Sequence, residues 1–351
     1  MKKTPGSIFI LVVVCMLTIG VVGKPATSSA QPAKVIHWKA QVQDASGTNF
    51  YKSFDQFCKD IAVATNGRLV IKLNPGGAIV PAMQEFDGVS KHVLDYASMP
   101  SIYWQSKWPE AGLFCFQAGG LSSMEMLYWY QYGGGLDLMN KMIAGKNVVL
   151  IPAFFAPASV YAVSNRELKS LADMKGLKIR TSGDNAAILA AMGASIITIS
   201  SNEVYEAMQR RVLDAALIGS AWDNSGFKVE EVTKYWYLSP SARPSTNWCD
   251  GVNADAWNAL PDDIKMIVKD VAFRTAITRL GRHSMEDAKT IETVKKKGVI
   301  VKSLPEDIEE ETYRAAEKFY REKSAKDPKF AEVYNSIQAF KKTWRDAVKR
   351  L

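Results

Sequence analysis

Histidine is almost missing from this 351-residue chain, which has His37, His92 and His283 and no others. The cysteines are as sparse: beyond Cys15, only Cys58, Cys115 and Cys249 occur, far apart. No zinc-ligand spacing exists among them, and paired histidines for acid–base chemistry are lacking. A G-x-S-x-G elbow, a G-x-G-x-x-G turn after a strand and a phosphate loop are also missing, which removes the commonest hydrolase, dinucleotide and nucleotide signatures. There is no run of five basic residues, so a nucleic-acid arm is not expected. Long hydrophobic runs are lacking too. The longest uncharged apolar stretch, Ile8 to Val22, falls short of the roughly 20 residues a membrane-spanning helix needs.

What is there begins with that stretch. Lys2 and Lys3 precede it and Ser28-Ser29-Ala30 follow it, the order of an export signal cleaved after Ala30. Cys15 lies inside the apolar run rather than after it, and Val14 before it is not small, so a lipid-modified cysteine is not expected. Loss of residues 1–30 removes three lysines and no acid, taking the net charge from +8 to +5. The remainder is too long for one hydrophobic core and is expected to form two domains. Among the three remaining cysteines one disulfide is an option. The commoner state for apolar-flanked cysteines is a buried thiol.

The pattern along the mature chain is strand and helix in alternation. Val35–Ala40 reads as a strand. Asn49–Thr65, with Phe50, Phe54, Phe57, Cys58 and Ile61 at helical spacing, reads as a helix, and "RLVIKLNPGG" as a strand closed by a turn. "MQEFDGVSKHV" is expected to be helical and "LDYASM" extended. The rhythm repeats in "GLKIR" (strand), "DNAAILAAMG" (helix), "ASIITIS" (strand), "NEVYEAMQRR" (helix opened by a Ser200–Glu203 capping box) and "VLDAALIGS" (strand). Such alternation predicts an α/β fold with a mostly parallel sheet, whose ligands sit at the carboxyl ends of strands. Arg180 is at one such end. From Pro261 to Lys297 a single long helix is expected, on the order of 55 Å and able to cross both domains, with Gly281 as a place to bend. Charged amphipathic helices broken at Asp327-Pro328 complete the chain.

Four stretches, "NPGGAIVPAMQEFDGVSKHVLDYASMPSIYW", "LADMKGLKIRTSGDNAAILAAMGAS", "SSNEVYEAMQRRVLDAALIGSAWDN" and "EVTKYW", resemble in order the extracytoplasmic solute-binding proteins of TRAP transporters, the DctP-like family, nearest its keto-acid-binding branch. The resemblance implies a two-lobed periplasmic-binding-protein-like fold with the long helix crossing both lobes. Lobe I would take residues 34–157 and 246–262, lobe II residues 158–245 and 263–304, and the C-terminal helices residues 305–351. It further implies a soluble periplasmic protein that closes on an organic acid and hands it to a membrane permease, with no catalysis and no cofactor. Service to a sensor or another transporter class is the alternative, and a small-molecule enzyme the more distant one.

In that family the arginine ending the "GLKIR" strand anchors the ligand carboxylate, which assigns Arg180. A guanidinium presents paired N–H groups that match a carboxylate, and the helix start at Ser182–Asn185 adds positive partial charge. The competing reading is an arginine paired with Asp184. Trp222, Tyr103, Trp104 and Phe155, with Phe154 and Tyr161 nearby, are the expected aromatic wall, suited to an apolar or aromatic group on the acid. Ser159, Asn224 and Asn247 are the expected hydrogen-bonding neighbours. The branch holds a cation with a glutamine and two glutamates at places that here carry Ser159, Ala221 and Cys249, so no metal is expected. The C-terminal helices resemble a segment that exchanges between subunits in that branch, which gives a homodimer as the expectation. Where the family usually has glycine after the helix of "QRRVLD", this chain has Arg211, so either the cap differs or a left-handed non-glycine residue is tolerated at a cost of about 1 kcal/mol.

Overall fold

The computed structural model describes residues 34–349, so the expected signal segment and the final two residues lie outside the described residues. In chain order the strands are β1 Ile36–Val42, β2 Leu69–Asn74, β3 Tyr96–Met99, β4 Val148–Ala156, β5 Val160–Ser164, β6 Lys178–Arg180, β7 Ser195–Ile197, β8 Ala215–Ala216, β9 Tyr235–Leu238, β10 Thr246–Asn253 and β11 Ile300–Ser303. They form two sheets, ordered β2-β1-β3-β10-β4 and β11-β9-β5-β8-β6-β7. In the first, β1 runs parallel to β2 and β3, while β10 is antiparallel to β3 and β4. In the second, β8, β6 and β7 are parallel neighbours and β5 is antiparallel to both β8 and β9. This is the two-lobed α/β fold that the strand–helix alternation and the family resemblance lead one to expect.

Two short connections carry the chain between sheets, Pro157–Ser159 between β4 and β5 and Ser239–Ser245 between β9 and β10. They lie side by side: the Ser159 N–H donates to the Arg243 carbonyl at 3.0 Å, and the Ser159 and Thr246 hydroxyls are 2.6 Å apart. A third link is the helix Asp262–Lys296. At ~1.5 Å per residue it is about 52 Å long. Its first half buries Ile264, Val268, Val271 and Ala272 with Trp38 and Ile61 under the first sheet. Its last turns place Val294 with Val163, Trp236 and Val299 in the second lobe. Pro261 caps it from outside instead of occupying its first position, and it continues through Gly281.

Several elements are shorter than the sequence pattern suggests, for local reasons. The helix expected over residues 83–93 is confined to Glu85–Ser90 because Met83 and His92 take left-handed backbones, φ 73° and 58°, on either side. The Ser200 hydroxyl accepts only from the Asn202 N–H, at 3.4 Å, so it opens a single 3-10 turn, Ser201–Glu203, and not a capping box. Beyond β8 the chain leaves the ladder after Leu217 and turns Ile218 toward the gap between lobes. Arg211 is left-handed, φ 58°, so the cap is kept and its cost is tolerated.

Cys58, Cys115 and Cys249 are all buried thiols. The C-terminal helices, Glu306–Lys326 and Pro328–Val348, fold back on their own chain. Tyr320, Phe330, Val333 and Ile337 join Phe114, Trp129 and Leu189 in one core, and Asp327 caps the second helix through the Lys329 and Phe330 N–H groups. No helix among the described residues is long and apolar enough to cross a membrane.

Candidate ligand-binding site

Strand β6 ends at Arg180 because Thr181-Ser182-Gly183 leaves the ladder and starts the helix Asp184–Ala191. Gly183 has φ 65°, and a Cβ there would stand 2.9 Å from the Gln105 Oε1 of the opposite lobe. A side chain at this point is strained by the backbone and would displace the Gln105 amide. The result is a chain corner that presses Arg180 against the interlobe gap.

Arg180 is 3% exposed. Its Nε donates to the Ile199 carbonyl at 3.0 Å and its Nη1 to the Leu217 carbonyl at 2.7 Å. Its Nη2 reaches the Ser201 hydroxyl at 3.2 Å and, across the gap, the Tyr103 hydroxyl at 3.5 Å. These four partners are neutral oxygens. The two carbonyls fix the plane of the guanidinium, while the two hydroxyls are weaker contacts on the side facing the gap. Asp184, the alternative partner, is taken: it accepts from Gln105 Nε2 at 2.8 Å and from Lys323 Nζ at 3.0 Å. Asp44 is buried nearby, where burial and then the Asp223 and Glu85 charges push its carboxyl well above the ordinary range against the pull of Arg180.

The cavity beside Arg180 is lined by Gln43, Phe50, Ile102, Tyr103 and Phe116 from one side and by Thr181, Ser182, Ser201, Leu217 and Ile218 from the other, with Thr246 and Trp248 at its base. Its volume is about 30 Å³, room for little more than one water. The lobes are shut on each other. Besides Gln105–Asp184, the Asn202 side chain bridges the Ala45 N–H and the Gln43 carbonyl, and Asn49 Nδ2 donates to the Trp222 carbonyl at 2.6 Å.

Of the eight residues singled out from sequence, Arg180 and Tyr103 line this cavity. The other six do not. Trp104 is core, tilted on Phe86 with ring centres 4.6 Å apart, and Phe155 is fully buried against Tyr130. Ser159 is in the hinge, one hydrogen bond behind the cavity. Trp222 faces the other way, edge-on to His283 at 4.9 Å, and lines a separate 460 Å³ groove with Lys52 and Arg279. Asn224 donates back to the Gly219 and Ser220 carbonyls and Asn247 to the Cys115 carbonyl, as turn and hinge residues do. The aromatic wall is built instead by Phe50, Phe116 and Trp248, with Phe50 and Trp248 stacked at 4.6 Å. Their spacing in sequence resembles that of any core aromatic, which is why the pattern did not reveal them.

At the places expected to correspond to the keto-acid branch's cation ligands, the side chains offer little free oxygen. Ala221 has no donor, the Ser159 hydroxyl is engaged with Thr246, and Cys249 is buried beside the Met139 sulfur at 3.7 Å, where burial pushes its thiol well up. A hard cation has too few oxygens here.

A buried Ser220–His283–Asp223 contact superficially suggests catalysis. The same nitrogen, His283 Nε2, faces both the Ser220 hydroxyl at 2.7 Å and Asp223 at 3.2 Å, and Nδ1 has no partner. A relay needs the two ring nitrogens on different partners. The Ser220 hydroxyl donates to Asp287, as does the Trp222 N–H, both at 2.7 Å, so the cluster ties the short helix Ala221–Gly226 to the long one.

This geometry has relatives. A periplasmic protein of Nostoc described as binding monocarboxylate 2-oxoacids is 25% identical over 317 residues, 90% of this chain and 87% of its own. A TRAP periplasmic solute-binding protein of Colwellia psychrerythraea, solved with calcium and pyruvate, superposes with a TM-score of 0.84 at 26% identity, over 89% of this chain and 96% of that one. A TRAP solute-binding protein of Bordetella bronchiseptica, a mixed-occupancy dimer with calcium and picolinate in its occupied site, gives 0.86 at 23% identity, over 90% and 94%. Residues 40–327 match the model of bacterial extracellular solute-binding proteins, family 7, and the chain belongs to that family, the DctP family.

Proposed function

We propose that this protein captures a small organic acid between its lobes, with Arg180 holding the ligand carboxylate, and delivers it to a TRAP-type permease. One observation carries the reading: a buried guanidinium, oriented by two carbonyls and unpaired with any carboxylate among the described residues, borders a cavity between two hinged lobes. Burying such a charge costs several kcal/mol unless an anion joins it. The acids bound by the Nostoc and Colwellia relatives are of the matching class. The cavity is smaller than any such acid, so binding needs an arrangement more open than this one.

In finer terms, the protein acts in the periplasm after losing residues 1–30. Lobe I is residues 34–157 with 246–262 and lobe II residues 158–245 with 263–304. It is a binder and not an enzyme, supported by the single-nitrogen Ser–His–Asp contact. Binding is independent of metal, supported by the donor set at Ser159, Ala221 and Cys249. A homodimer through the C-terminal helices has the dimeric Bordetella relative in its favour, while the burial of Phe330 and Ile337 against their own chain favours a single-chain particle.

A thermal-shift screen against organic acids, in the presence of EDTA and without sodium, tests the whole. A bound acid at a hundredfold excess over Kd stabilises by about 2.7 kcal/mol. No stabilisation by any acid, or one that EDTA or sodium removal abolishes, overturns the corresponding part.

A further inference from the structure

Trp222, which turns away from the interlobe cavity, borders a separate groove of 460 Å³ whose long walls are two helices. Lys52, Gln56 and Asp60, four residues apart, line it from the helix Asn49–Ala64, and Thr275, Arg279 and Arg282 from one face of the helix Asp262–Lys296. Lys52 and Arg282 are exposed. The acids within reach of them along each helix are engaged by other side chains. Asp55 holds Lys59 at 2.6 Å, Asp60 accepts from Gln56 at 2.9 Å and faces Arg274 at 3.5 Å, and Glu286 holds Lys289 at 2.9 Å. Among the described residues Lys52, Arg279 and Arg282 form no ion pair.

Arg279 is the buried member of the three, 8% exposed, and none of its guanidinium nitrogens has a hydrogen-bond partner. Its charge lies instead on the rings of Phe54 and Phe154, 4.4 and 3.8 Å from their centres. The carboxylates that act on it, Asp250 and then Asp223, do so from beyond ion-pair distance, and burial raises Asp250 to about 7 against the pull of Arg279 itself. Three bases thus converge on one groove whose lining contains a single acid, already shared with Gln56 and Arg274.

We propose that this groove is a second anion site, separate from the interlobe cavity, for a small tetrahedral oxyanion of the phosphate or sulfate type. Lys52 and Arg282 donate to its oxygens from the two walls, and Arg279 adds its positive field between them. A tetrahedral ion presents oxygens toward both helices at once, whereas a planar carboxylate offers its pair on one side. The hydroxyls of Ser53 and Thr275 line the same walls and are further donors. The site takes no part in holding an acid at Arg180, so it stands or falls independently of that reading.

The test is calorimetry and thermal shift on the purified protein with sodium phosphate and sodium sulfate, at an ionic strength held constant with chloride. Phosphate or sulfate is expected to bind saturably and to raise the melting temperature above the chloride control. Lys52→Ala and Arg282→Ala, both at exposed positions, are each expected to weaken that binding about tenfold or more, as the loss of one charge-assisted hydrogen bond does, and Arg282→Lys to restore part of it. Arg180→Met is expected to leave it within about threefold. Phosphate and sulfate effects equal to that of chloride, affinity unchanged in both alanine variants, or loss of phosphate binding in folded Arg180→Met, which would place the ion in the interlobe cavity, overturns the proposal. Cosedimentation with phosphatidylglycerol vesicles without any response to free phosphate overturns it as well, by assigning the groove to a lipid headgroup.

Discussion

Arg180 is buried and oriented in a way that ordinary surface arginines are not. Two backbone carbonyls hold its plane, so little side-chain freedom remains to be lost when a carboxylate arrives. The anchor role of this residue was legible only through the family resemblance, since the strand end and helix start of "GLKIRTSG" fit a surface arginine as well. Tyr103 was legible from the family resemblance. Trp222 was not separable from a wall residue by sequence, since a helix of six residues can point its aromatic either way. The neighbours decide it: His283 on the long helix captures the ring. We therefore expect Trp222→Ala to leave the Kd for a validated acid within about threefold while lowering thermal stability, since a ring packed in a wall contributes mainly through burial. Calorimetry and a melting curve on the same preparation check it, and a tenfold loss of affinity at unchanged stability would reverse the assignment.

At the scale of elements, strand and helix identities were readable from periodicity, but lengths were not, because single left-handed residues end helices where apolar spacing continues. Arg211 is one such residue. It ends the helix Val204–Gln209 at φ 58°, with the following N–H of Val212 closing back on the Ala207 carbonyl at 2.9 Å. Glycine meets the same backbone without steric cost, so Arg211→Gly is expected to raise stability by about 1 kcal/mol in denaturant melts. A decrease would mean that the Arg211 side chain contributes more than its backbone costs. The junction between the long helix and Ala221–Gly226 carries a pH dependence. Burial, partly opposed by the His283 charge and reinforced by Asp223, raises Asp287 from 3.8 to about 6. A raised acid is protonated in the fold where the unfolded chain is ionised, so its stabilisation is fully present below about pH 4 and is lost as pH rises through about 6. Asparagine keeps an acceptor for Ser220 and Trp222 without the titration. The melting temperature of Asp287→Asn is expected to fall less than that of wild type between about pH 4 and pH 6, and parallel curves would show that Asp287 is not the source of the dependence.

For the whole molecule, two short crossings and one long helix join the sheets, and the contacts across the gap include the hydrogen bonds Gln105–Asp184, Asn202 to the Gln43 segment, Asn49 to Trp222 and Arg180 to Tyr103, with Phe50 packed on Phe227. Hinges of this kind move with little repacking. Small-angle scattering should give a larger radius of gyration for the ligand-free protein than for the acid-saturated one. Equal radii would place the shut arrangement in both states. The two-lobed architecture was visible in the sequence because the alternation and the length of the Pro261–Lys297 pattern are properties of long segments. Arg243, the alternative anchor to Arg180 by sequence, lies in an irregular connection whose position depends on two chain crossings meeting, so periodicity does not place it.

The central claim is that a carboxylate closes the lobes by pairing with Arg180, and titration of a validated acid into wild type and Arg180→Met by calorimetry tests it most directly. Methionine preserves most of the aliphatic bulk and removes only the charged fork, and a far-UV spectrum establishes that the variant is folded. A carboxylate left desolvated and unpaired loses about 2–5 kcal/mol, roughly thirtyfold to several thousandfold in Kd, and Arg180→Lys should recover only part of that. Binding by folded Arg180→Met within threefold of wild type would contradict the account.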